Sequence, residues 1–142
     1  MRKVFIIFTF MVTAVTISCS QSSSQTNETK APATIEFKIT EYDFGTIEQG
    51  ANGTCEFEFK NTGEEPLVLN DVKSSCGCTI PSWPKEPVKK GDSAKIIVKY
   101  DTNRIGPFTK SITVISNATN SPIVLRIKGT VNAPKEQTGT TE

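Results

Sequence analysis

The chain has 142 residues, 36% of them hydrophobic, which is enough for one ordinary domain and excludes a large multi-domain enzyme. With 16 Lys+Arg against 15 Asp+Glu, four Cys and no His, it has neither the field of a phosphate-neutralising nucleic-acid binder nor any imidazole. Ser-His-Asp and Cys-His triads, His-ligated metals and His pH switches are therefore excluded within a single chain.

Arg2 and Lys3 precede an apolar run of fourteen residues, Val4 to Ile17, that ends at Ser18-Cys19. This run has the length of a secretory h-region and falls short of the roughly 20 apolar residues of a spanning helix, so residues 1–18 are expected to be a signal peptide. The segment Thr16-Ile17-Ser18-Cys19 resembles a bacterial lipobox, although Thr16 stands where such signals usually carry an aliphatic residue. The resemblance implies that Cys19 becomes the first mature residue, is acylated, and holds the exported protein to a lipid membrane of the cell envelope, the outer membrane being expected. An ordinary cleaved signal with Cys19 a free thiol is the competing reading. Residues 19–33 then form a lipidated Cys and a polar, Ser/Gln/Thr-rich tether. Loss of Arg2 and Lys3 leaves 14 basic against 15 acidic side chains, about −1, and Met1 and Met11 depart with the signal as well.

From there the pattern is all strand. Ile35, Phe37 and Ile39 alternate with polar residues, and Tyr42, Phe44 and Ile47 continue to a turn at residues 48–53. Cys55, Phe57 and Phe59 share one face, with Glu56, Glu58 and Lys60 on the other. After the turn Asn61 to Pro66 comes a short strand from Leu67 to Val72. The stretch from Pro81 to Asp92 holds three prolines and cannot lie in the interior of a sheet. Residues 94–100 alternate again, and 108–116 and 123–131 complete seven to eight strands. Such spacing predicts an immunoglobulin-like antiparallel β-sandwich over residues 34–132, with residues 133–142 a frayed tail.

The ordered motifs Asp43-Phe44-Gly45-Thr46-Ile47, Phe59-Lys60-Asn61-Thr62-Gly63, Ser75-Cys76-Gly77-Cys78-Thr79, Trp83-Pro84, Tyr100-Asp101-Thr102 and Val114-Ile115-Ser116-Asn117 resemble the bacterial domain of unknown function numbered 1573. A more distant likeness is to the Ig-like domains of the abnormal-spindle and hydin group, the major sperm protein and the pilus chaperones. The resemblance implies an Ig-like sandwich and export; it implies no activity.

Three thiols remain once Cys19 is lipidated, an odd number in an oxidising compartment. Residues i and i+2 of an extended strand lie about 6.6 Å apart, so closing Cys76 to Cys78 needs a bend, which Gly77 permits. Three readings stand side by side. Cys55 pairs with Cys76 or Cys78; or Cys76 and Cys78 pair structurally while Cys55 is a small buried hydrophobe; or Cys76 and Cys78 form a thiol site for redox exchange or Cu(I) capture. Zinc lacks a fourth ligand, and neither a metal nor any other cofactor is expected. The only Trp, Trp83, is either a contact for an envelope protein or glycan or a cap over the core. Asp92-Ser93-Ala94 resembles an O-glycosylation sequon at Ser93, against a plain turn-to-strand junction. Glu56, Glu58, Glu64 and Glu65 read as solvated, and no Ser occupies a nucleophile motif, so no catalytic residue is nominated. The expected function is a non-enzymatic envelope module for binding, adhesion or assembly, with the thiol site as the alternative and no nucleic-acid partner.

Overall fold

The computed structural model describes residues 32–134, so the signal peptide, Cys19 and nearly all of the tether and tail lie outside the described residues. Eight strands follow in order: β1 (Ile35–Phe37), β2 (Glu41–Glu48), β3 (Thr54–Asn61), β4 (Leu69–Ser74), β5 (Thr79–Ser82), β6 (Ser93–Tyr100), β7 (Gly106–Ser116) and β8 (Ile123–Asn132). They form two four-stranded sheets, ordered β1-β3-β6-β5 and β2-β8-β7-β4. The alternation in the sequence becomes the layering of a sandwich. Phe57, Phe59, Ile96 and Val98 of the first sheet and Ile112, Val114, Leu125 and Ile127 of the second are all at most 1% exposed. Burying each such side chain stabilises the fold by about 1.5–3 kcal/mol.

The sheets are antiparallel except for one pair, because β2 runs parallel to β8. The stretch from Ile35 to Ile47, which the sequence suggests is one strand, breaks at residues 38–40 and crosses from the first sheet to the second. A single strand cannot pair within both sheets, so the crossing separates β1 from β2. Pro81 falls inside β5, opposite Val98, and β5 is an edge strand where a missing N–H costs no ladder bond. Ala33, which composition assigns to the tether, is 2% exposed and joins the core.

The chain enters at one pole and leaves at the other. At the entry pole the Ala33 carbonyl accepts from the Thr119 N–H (3.0 Å), and the Asn120 side chain bonds both the N–H (3.3 Å) and the C=O (2.8 Å) of Ile35. At the far pole the Gln49 N–H donates to the Asn132 carbonyl (2.9 Å), while the Gln49 side chain donates to the Asn103 carbonyl (3.0 Å). There Tyr100 and Phe108 stack across the two sheets with ring centroids 3.8 Å apart.

Candidate functional site

Ser75 to Cys78 form the turn that carries the chain from β4, an edge of one sheet, to β5, the facing edge of the other. Cys76 and Cys78 are joined in a disulfide with Cα atoms 5.3 Å apart. That is well inside the extended i, i+2 spacing, so the backbone bends here, and a Cβ at Gly77 would meet nothing within 4 Å. Cys55 stands apart as a free thiol, 4% exposed, pointing into the core from β3. Its burial pushes the thiol pKa up to about 12, so it is an inert, protonated hydrophobe.

The turn is held by its own hydrogen bonds. The Ser74 hydroxyl lies 2.6 Å from the Cys76 carbonyl and 2.7 Å from the Thr79 carbonyl, and its one proton serves both. The Cys76 carbonyl also accepts from the Thr79 N–H (3.4 Å), and the Cys78 carbonyl from the Asp101 N–H (2.9 Å). Ser75 is fixed to β7 twice, donating its N–H to the Ser111 carbonyl (2.9 Å) and accepting the Ser111 N–H on its hydroxyl (3.2 Å). As a staple the disulfide has little to add: closing a three-residue loop is worth about 1.6 kcal/mol by chain entropy, against about 3 for fifteen residues.

The two sulfurs differ in surroundings. Cys76 is half-buried, whereas Cys78 is 6% exposed. The Thr79 hydroxyl sits 3.8 Å from the Cys76 sulfur and 3.9 Å from the Cys78 sulfur. Beside Cys78 opens a cleft of about 330 Å³ lined by Gly77, Ile80, Lys99, Tyr100, Asp101 and Asn103. Ile80 is 66% exposed at its rim. Backbone and side-chain N–H groups of Asn103 hold the Asp101 carboxyl below its ordinary range, and Arg104 reinforces this at 3.5 Å. Burial raises the Tyr100 phenol, which keeps it neutral and apolar in the wall of the cleft.

Trp83 lies on the run from β5 to β6, half-buried and packed against the core, with the Lys85 ammonium 3.3 Å from its ring centroid. Its indole Nε1 is buried with no hydrogen-bond partner. Trp83 is thus not part of the cysteine turn, and its ring faces largely inward. Ser93 is exposed at the first position of β6, opposite Lys60 and far along the sheet from Cys78. Glu56 and Glu58 are divided between two ion pairs, with Lys95 (2.7 Å) and Lys38 (2.8 Å), rather than facing each other as an acid/base couple. Among the described residues no three His, Cys, Asp or Glu side chains converge in a way that could hold a metal. Sequence reasoning missed Thr79, Tyr100 and Asp101 as neighbours of the cysteines. Thr79 could have been found from its place directly after Cys78; the other two could not, since only the β5–β6 register brings them there.

The model of a family described as a protein of unknown function (DUF1573) matches residues 35–131. The chain belongs to the DUF1573 family. This DUF1573 domain resembles a protein of unknown function from Porphyromonas gingivalis W83, with TM-score 0.60 and 22% identity over 70% of this chain and 46% of that one. The chain therefore spans just under half of that relative. It also resembles the PapD-like domain 7 of human CEP192, with TM-score 0.62 and 11% identity over 73% and 89% of the two chains. A third likeness is to the complex of the CsuC chaperone with the CsuE tip adhesion subunit from Acinetobacter baumannii, with TM-score 0.50 and 16% identity over 78% and 62%. At these identities the likeness is one of fold. The comparison with curated proteins finds no match.

Proposed function

We propose that this chain is a non-enzymatic binding module of the bacterial cell envelope, anchored to a membrane through acylated Cys19 and engaging an envelope protein with its far pole. The observation that carries the reading is the polarity of the fold. The described chain enters at Ala33 on one pole, while the cysteine turn, the Tyr100–Gly106 loop and exposed Ile80 gather toward the other. A tether of about a dozen residues, reaching at most about 3.3–3.6 Å per residue, then joins the entry pole to the bilayer and leaves the far pole free to meet a partner. The pilus chaperone complex gives a precedent for a sandwich of this shape gripping another exported protein.

Two labels test this. Radiolabelled palmitate supplied to producing cells should enter the chain and be lost in Cys19→Ala; no incorporation, or label persisting in that variant, removes the anchor. A photo-crosslinker placed at Ile80 should give a discrete adduct with an envelope protein in intact cells, while one at Val124, 50% exposed on the opposite sheet, should give none. Equal or absent adducts at the two positions remove the far-pole contact. An adduct that carries only glycan would reassign the partner.

A further inference from the structure

We propose that the Cys76–Cys78 pair is a thiol-exchange site that cycles between disulfide and dithiol by reaction with an external dithiol, Cys76 being the sulfur attacked and Cys78 the sulfur released. The asymmetry of burial decides the direction. A nucleophile must approach in line with the S–S bond, and Cys76, half-buried beside exposed Gly77, is the more exposed of the two residues. Cys78, at 6% exposed, sits on the protein side of the bond.

What happens to the released sulfur is set by Thr79. This side chain is 2% exposed, and among the described residues its hydroxyl has no partner other than the two sulfurs. A bonded disulfide sulfur accepts a hydrogen bond poorly, but a thiolate accepts one strongly, so the hydroxyl gains a good acceptor only once the bond is broken. Lys99 adds positive charge in the cleft beside Cys78, partly offset by Asp101. Breaking the bond leaves the fold in place, because β4 stays paired with β7, β5 with β6, and the turn keeps its bonds from Ser74, Thr79 and Asp101. Cys55, in the core, stays outside the exchange.

In the forward step a thiolate of the external dithiol forms a bond to the Cys76 sulfur. The Cys76–Cys78 bond breaks, and its electron pair leaves on Cys78, which takes a proton from solvent. The second thiol of the reagent, deprotonated, then attacks the reagent's own sulfur in the mixed disulfide and expels Cys76, which is protonated in turn. Two electrons and two protons have passed to the protein, and the reagent departs as a disulfide. The reverse sequence restores the bond. This chemistry does not depend on the tether or on the far-pole contact.

The test uses the full chain in detergent, with dithiothreitol as the dithiol and peptide mass spectrometry after alkylation as the readout, so that Cys19 and Cys55 are counted separately. The bond should open under native conditions with the circular dichroism spectrum retained. Cys78→Ser should take up glutathione from oxidised glutathione about tenfold or more faster at Cys76 than Cys76→Ser does at Cys78. Thr79→Val should slow opening several-fold, and Thr79→Ser should restore it. The proposal is overturned if the bond opens only in denaturant, or if the two single-cysteine variants react alike. The native-against-denatured comparison needs only the unsubstituted chain, so it decides even where a variant fails to fold.

Discussion

Asn61 is 0% exposed, yet its side chain makes three hydrogen bonds: Nδ2 donates to the carbonyls of Glu65 (2.8 Å) and Val88 (3.0 Å), and Oδ1 accepts from the Gly63 N–H (3.0 Å). Asn61→Ala would remove three buried hydrogen bonds at once and take the acceptor from the Gly63 N–H, and urea denaturation should show a loss of about 2–3 kcal/mol. The sequence marks Asn61 only as a turn residue. That it is also a buried hub depends on Val88 arriving from 27 positions away. Cys55 illustrates the same limit. Its inward direction is legible from the alternation with Phe57 and Phe59, but its separation from Cys76 and Cys78 is set by how the strands pack. Cys55 also has a pH signature. Folding holds its proton up to about pH 12, whereas a thiol ordinarily releases it near 9.0. Its folded pKa is raised, so its contribution to stability is complete below pH 9.0 and declines as pH rises from there toward 12. Urea midpoints measured at increasing alkaline pH should therefore fall more steeply for the unsubstituted chain than for Cys55→Ala.

Strands β3 and β6 are legible almost residue by residue, because each buries one face in the core and exposes the other, which is what period two records. Strand β2 is not. None of its residues is fully buried, and its partner β8 lies at the other end of the chain and runs parallel. Alternation cannot report either fact. The register of β2 slips between Asp43 and Thr46, where Gly45 takes φ 63° and the Asp43 carboxylate accepts the Gly45 N–H at 2.8 Å. A side chain at Gly45 would meet nothing within 4 Å, so any cost of Gly45→Ala comes from the backbone conformation alone. Thermal unfolding should show a loss of about 1 kcal/mol. Gly63→Ala is a different case, since its Cβ would collide with the backbone of residues 32–34, where the entering chain crosses the turn after β3.

Over the whole molecule, the sandwich class and its approximate limits follow from strand spacing, whereas the crossing at residues 38–40 and the polarity of the two ends do not. Both belong to the pairing of distant segments. The parallel alignment of β2 and β8 has a mechanical meaning. A pull at the entry pole and an opposite pull at Asn132 slide these two strands along each other, so the bonds spanning Glu41–Arg126 to Glu48–Asn132 are loaded together rather than opened one at a time. Force spectroscopy through the two ends should give a higher rupture force than pulling between Val124 and Ile80, which lie on opposite sheets. A domain held at its entry pole and pulled through Asn132 would thus be stiff along that line, and would behave as a load-bearing link rather than a passive spacer.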